Sequence, residues 1–144
     1  MSRDRSLLAP RGTARRSGAV VLVLRVLGAA LLLALAGIHF YLWQQGYRTI
    51  DVIGPAFLLD TVCGVGGALL VLFTPLRWLP VAAILGALLC AGTLAALLVT
   101  TTVGMFGFVE STAAQLWWTS VWVEAAGTVV LVALAAVTRR RSPG

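Results

Sequence analysis

Four apolar runs of about 20 residues, separated by short breaks rich in Pro, Gly and Arg, dominate the pattern along the chain. A helix rising 1.5 Å per residue needs about 20 residues to cross the roughly 30 Å hydrocarbon layer of a bilayer, so each run predicts one membrane span. The spans fall at residues 20–43, 53–73, 80–103 and 116–137. The breaks carry their own signals. Residues 44–52 are polar and hold Gly46, Arg48 and Asp51, which reads as a short loop. Pro55 lies in the first turn of the second span, where its missing N–H costs nothing. Pro75, Arg77 and Trp78 make a tight connection, and Pro80 opens the third span. Gly104, Met105 and Gly107 lead into a weakly acidic linker with Glu110, and Arg139, Arg140 and Arg141 stop the fourth span.

Composition agrees with that pattern. Of the 144 residues, 60% are hydrophobic and 11% charged, against about 25% charged in soluble domains. A core this small cannot hide four such runs from water, but lipid can. The predicted fold class is therefore all-α, an integral membrane four-helix transmembrane bundle spanning residues 19–138. Residues 1–18, with Arg3, Arg5, Arg11, Arg15 and Arg16, read as a disordered basic tail, and 139–144 as a second basic tail.

The net charge of +6 is explained by topology. All eleven basic residues are arginine, and nine of them lie in the tails or the second loop, against Arg48 alone in the other two loops. The positive-inside rule then places both termini in the cytoplasm of a bacterial plasma membrane, which requires an even number of spans. Partners expected on this basis are the lipid bilayer, anionic lipid head groups at the basic tails, and a second copy or a larger membrane complex; nucleic acid is not expected. Arg25 lies near the start of the first span and is expected to snorkel to its own side. Trp43, Trp78, Trp117 and Trp118 fall where an aromatic belt would place them. A cleavable secretory signal ending near Ala34-Leu35-Ala36 is the competing reading of the N-terminus. Arg25 interrupts its apolar region, and cleavage would start the mature chain inside the end of a helix.

Ionisable groups inside spans each need a reason, because they cost about 2.5 to 3.5 kcal/mol at mid-helix on insertion scales. Besides Arg25, three such groups stand out: His39, Asp60 and Glu124. The helical rise puts them about 6, 10 and 12 Å below the outer surface, so one layer can hold all three. Helical spacing groups Ala56, Asp60, Cys63, Gly64 and Gly67 on one stripe of the second span, expected to face the bundle because small residues let another helix approach. Gly86 belongs to a matching stripe of the third span. His39, Asp60, Glu124, Ser120 and Thr101 are thus the candidate lining of a polar pocket open toward the outside, with Gly64, Gly67 and Gly86 as helix-packing positions. The structural alternative is that His39 only hydrogen-bonds Asp60 or Glu124 and fixes helix register. The trio carries donor atoms that suit Zn²⁺ or Mn²⁺, but no local ligand spacing supports a metal. One histidine cannot supply two axial imidazoles to a haem. Cys63 and Cys90 lie inside apolar segments without CxxC spacing and read as packing residues. No catalytic residue and no cofactor are expected, since no complete motif is present.

The run from Ala36 through Ile38, His39, Tyr41 and Trp43, then Gly46-Tyr47-Arg48, then Ile53-Gly54-Pro55-Ala56-Phe57 resembles small uncharacterised four-helix integral membrane proteins of actinobacteria. In gross architecture the chain also resembles the DoxX-like membrane proteins, some linked to thiol or quinone redox chemistry. That resemblance implies a fold more than an activity. The leading functional reading, favoured by composition and absent motifs, is a non-enzymatic accessory or structural subunit, with two alternatives. The common depth of His39, Asp60 and Glu124 favours a proton-linked or small-solute transporter. The DoxX-like resemblance favours a membrane redox protein using quinone or metal.

Overall fold

The computed structural model describes the backbone of residues 11–140 and the side chains from residue 17 onward. It contains α1 (Arg11–Gln44), α2 (Ile53–Phe73), α3 (Leu79–Thr102) and α4 (Trp117–Arg139), all long and apolar enough to cross a membrane, and no strand among the described residues. The protein is an all-α four-helix bundle of membrane-spanning length. α1 packs chiefly on α2 and α3 on α4, the α1–α4 contact joins these two hairpins, and α2 and α3 touch less. One end of the bundle carries the tight α2–α3 turn; the other carries the α1–α2 and α3–α4 loops together.

Apolar side chains occupy both the inside and the outside. Leu32, Leu35, Val71, Leu79, Leu131 and Leu134 are fully buried, with Ala29, Ala68, Ala83 and Ala87 filling between them. Leu22, Val23, Leu59, Val62, Leu88 and Val129 are exposed. Each apolar side chain fully exposed to water forgoes roughly 1.5 to 3 kcal/mol, so lipid is the solvent that suits this outer surface.

Close helix contact depends on small residues. A Cβ on Gly64 would stand 2.9 Å from the Ala36 Cβ and 3.0 Å from the Leu32 carbonyl oxygen, which is backbone and cannot move aside cheaply. On Gly86 it would meet the ends of Leu131 and Leu32 at 3.0 and 3.1 Å. Gly67 differs, since its nearest neighbour, Leu32 Cδ1 at 3.5 Å, is at ordinary contact distance. Gly127 admits the Cys90 sulfur, 2.7 Å from where its Cβ would be. Cys90 therefore packs at the α3–α4 contact, whereas Cys63 is exposed and does not share the inward face of Gly64. The helix turns 100° per residue, enough to carry Cys63 from the buried stripe to the bundle's exterior.

Three other expectations give way. Instead of a basic tail without structure through residue 18, α1 begins at Arg11, because extending an established helix outward adds one hydrogen bond per residue fixed. The expected disorder of residues 1–10 and the tail from 141 lie outside the described residues. Trp117 is buried, unlike the exposed Trp78 and Trp118, and is no belt residue; its ring nitrogen donates to Thr101 Oγ1 at 3.0 Å. Arg25 does more than reach its own interface. Its Nε donates to the Val71 carbonyl at 2.6 Å and its Nη2 to that of Thr74, so a full positive charge caps the negative C-terminal end of α2.

Two outcomes follow for stability in detergent. Gly64→Leu lowers the melting temperature, while Leu70→Ala, on the exposed face, leaves it nearly unchanged; equal stability of Gly64→Leu and the parent would contradict the α1–α2 contact. Arg25→Met removes two charge-assisted hydrogen bonds to helix-end carbonyls and costs about 1 to 3 kcal/mol by chemical denaturation. An unchanged unfolding midpoint for this variant would show that the cap contributes nothing.

Candidate functional site

Where the two loops meet, the four helices enclose a cavity of about 130 Å³. α1 contributes His39, α2 Phe57 and Asp60, α3 Thr93 and Thr100, α4 Trp117, Ser120 and Glu124, and the loops Tyr47, Phe108 and Glu110. The three ionisable groups expected to share a layer thus line one space. Ser120 lines it as well, but Thr101 does not: it lies one residue around α3 from the lining Thr100, donates to the Leu97 carbonyl at 2.7 Å and accepts from Trp117. The expected threonine is the wrong one of a run of three, since each step along a helix rotates the side chain by 100°.

His39 is buried, and its Nδ1 is 2.9 Å from the Leu35 carbonyl oxygen. A carbonyl only accepts, so Nδ1 carries a proton and Nε2 is left facing Asp60. Nε2 and Asp60 Oδ2 are 3.7 Å apart, an ion-pair distance longer than a direct hydrogen bond. The imidazole also leans on Phe57, with ring centroids 5.0 Å apart, and Phe57 stacks on Tyr47 at 4.9 Å. Asp60 keeps a quarter of its side chain exposed.

Glu124 is the deepest of the group, with 2% of its surface exposed, and its Oε2 has no hydrogen-bond partner. Thr93 is its side-chain hydrogen-bonding neighbour from α3. The Thr93 hydroxyl also lies 3.1 and 3.0 Å from the Leu89 and Cys90 carbonyl oxygens, so its single proton is shared between these carbonyls and the Glu124 carboxyl group. Among the described residues nothing in the cavity wall supplies a permanent positive charge: three of the chain's five acidic residues and its single histidine line it, and no arginine does. Among the described residues, no group of three His, Cys, Asp or Glu is placed to hold a metal ion. His39, Asp60 and Glu124 share a cavity, not a coordination point.

The loops close over this space. Tyr47 OH donates to Glu110 Oε2 at 2.7 Å, and Gln115 Nε2 donates to Tyr41 OH at 3.0 Å, so α1 and its loop are tied to the segment before α4. Burial first, then the hydrogen bond to Glu110 and its charge, hold the Tyr47 phenol well above its ordinary range, and it stays a donor at neutral pH. Met105 and Phe108 exchange both backbone hydrogen bonds across Phe106 and Gly107, whose φ values are 51° and 79°. This is a two-residue turn with both central residues left-handed, which glycine accepts readily and phenylalanine does not. Val52 and Leu116, which precede α2 and α4, also have positive φ at 64°. Such residues cost of order 1 to 3 kcal/mol each, and all three belong to the end of the bundle that holds the cavity.

Tyr47, Glu110, Phe57 and Phe108 are lining residues that sequence reasoning did not select. Tyr47 and Glu110 sit in loops 63 positions apart, where no periodicity links them. Phe57 offered one usable signal, lying one helical turn before Asp60 on α2. Comparison with family models, curated proteins and solved structures finds no match to this chain, so the functional reading rests on the geometry of the cavity itself.

Proposed function

We propose that this is a membrane-embedded solute-binding protein whose chamber takes up a small solute in exchange for a proton, the working part of a small proton-linked transporter. The observation that carries this reading is Glu124: a carboxyl group 2% exposed, with one oxygen unpartnered, lining a cavity with room for more than a single water. A purely structural bundle gains nothing from such a group, since an unsatisfied buried polar atom costs about 1 to 3 kcal/mol. A binding site does gain, because the ligand supplies the missing partner. Placing the arginine-rich side in the cytoplasm of a bacterial plasma membrane makes the chamber open outward. Beneath it, Leu32, Leu35 and Leu131 seal the bundle. Passage across the membrane therefore needs either a second arrangement of the two hairpins or a second copy of the chain. An accessory role within a larger complex is compatible with the same chamber.

A thermal-stability screen of the purified protein in detergent, against small amines, carboxylates, sugars and quinones, tests the reading. At least one class is expected to raise the melting temperature of the parent and to lose that effect in Glu124→Gln. A flat response to every class, or a response untouched by Glu124→Gln, would contradict a solute site at this carboxyl group.

A further inference from the structure

We propose that the solute is a monovalent organic cation, an amine or quaternary ammonium on a compact apolar body, and that it binds by displacing a proton from the chamber. This inference rests on the chamber being a solute site and names the class of that solute. Charge points to it first. In a chain of net charge +6, the chamber gathers Asp60, Glu110 and Glu124, and no arginine among the described residues lines it, so its field favours a cation and repels an anion. Glu124 points the same way. Its unpartnered Oε2 belongs to a buried side chain of the cavity wall, where no described arginine stands, and a ligand is what remains to partner it.

The walls select the kind of cation. A small metal ion needs several oxygen or nitrogen ligands converging on one point, and among the described residues no such group exists. An organic cation needs instead an aromatic surface with a carboxylate nearby, since its charge is spread over alkyl groups that cannot be coordinated. Here Phe57 stacks on Tyr47, and Tyr47 meets Phe108 edge-on at 5.9 Å, forming an aromatic wall next to the His39–Asp60 pair. The carboxyl groups fix the charge and the rings hold the body.

Exchange follows from charge balance. Adding a cation to a chamber within the membrane raises its net charge by one, which low dielectric opposes. If one carboxyl proton departs to water as the cation arrives, the acid becomes a carboxylate, the ion pair is neutral and the chamber's net charge is unchanged. The titratable groups that face Glu124 from the other elements are His39 on α1, Asp60 on α2 and Cys90 on α3, with Tyr47 and Glu110 on the loops above. None of these brings a permanent positive charge that could substitute for the ligand.

Isothermal titration calorimetry of the purified full-length protein with benzyltrimethylammonium, in buffers of different ionisation enthalpy, reads both affinity and protons released. The expected result is binding with about one proton released per cation, so that affinity falls about tenfold per unit drop in pH over that range. Benzenesulfonate, similar in size and opposite in charge, is expected not to bind. Glu124→Gln is expected to weaken the cation at least about tenfold and to abolish proton release, with helix content unchanged. Should that variant fail to fold, Asp60→Asn, at the more exposed side of the chamber, is expected to weaken binding, while Trp118→Phe on the outer face leaves it unaltered. Cation binding without proton release overturns the exchange. Binding of benzenesulfonate, or of another solute class in place of the cation, overturns the ligand class while leaving a solute site standing. No binding by any class removes the solute site as well.

Discussion

Contact between α1 and α2 at Ala36 and Gly64 sets the register from which the chamber is built. Only a glycine lets the α2 backbone come this near the Leu32 carbonyl and the Ala36 methyl. The two helices run antiparallel, so moving three residues outward from Ala36 and four from Gly64 brings His39 opposite Asp60. Thr61 Oγ1 lies 3.4 Å from the Ala36 carbonyl oxygen in the same register. A corresponding contact at Cys90 and Gly127 pairs α3 with α4 and brings Thr93 beside Glu124. Two small-residue contacts, one in each hairpin, therefore place the polar side chains of all four helices in one layer.

Lipid explains why that layer exists as a single chamber. A hydrocarbon solvent gives isolated polar side chains no partners, so groups at similar depth lower one another's cost by facing a common interior. The same constraint acts on Arg25 at the opposite end, where the charge is absorbed by the carbonyls that end α2. The chamber differs in being only partly satisfied. His39 has Leu35 and Asp60, and Tyr47 has Glu110, but one oxygen of Glu124 has nothing. Backbone strain at Val52, Phe106 and Leu116 is concentrated at this end as well, consistent with loops held in place to cover a site.

The four spans were legible in the sequence because long apolar runs admit almost no other structure, and Pro55, Pro80 and the terminal arginines marked their ends closely. The common depth of His39, Asp60 and Glu124 was legible for the same reason, since depth needs only the helical rise. Facing was harder. Cys63 and Gly64 are neighbours on α2, as are Thr100 and Thr101 on α3, and in each pair one residue faces inward and the other does not. Rotation decides between them, and where small or polar residues stand side by side the edge of an inward stripe is uncertain by one residue. A tryptophan at a span end suits an interfacial belt, but Trp117 is buried and its ring nitrogen has a half-buried acceptor in Thr101. The Tyr47–Glu110 contact lay beyond sequence reasoning, because it joins two loops that only the assembled bundle brings together.

Access from one end of the bundle and preference for positive charge are the two properties proposed for the chamber, and substituted-cysteine labelling measures both at once. Ala96 lines the chamber from α3 and is partly exposed; Ala96→Cys, in a Cys63→Ala background that removes the exposed thiol, offers a reporter there. Membrane-impermeant methanethiosulfonates with a trimethylammonium or a sulfonate head then compete for the same position in sealed vesicles. The expected outcome is reaction from one side of the membrane only, faster for the trimethylammonium reagent, and slowed by benzyltrimethylammonium. No reaction with either reagent, or faster reaction with the sulfonate, would contradict a cation-selective chamber.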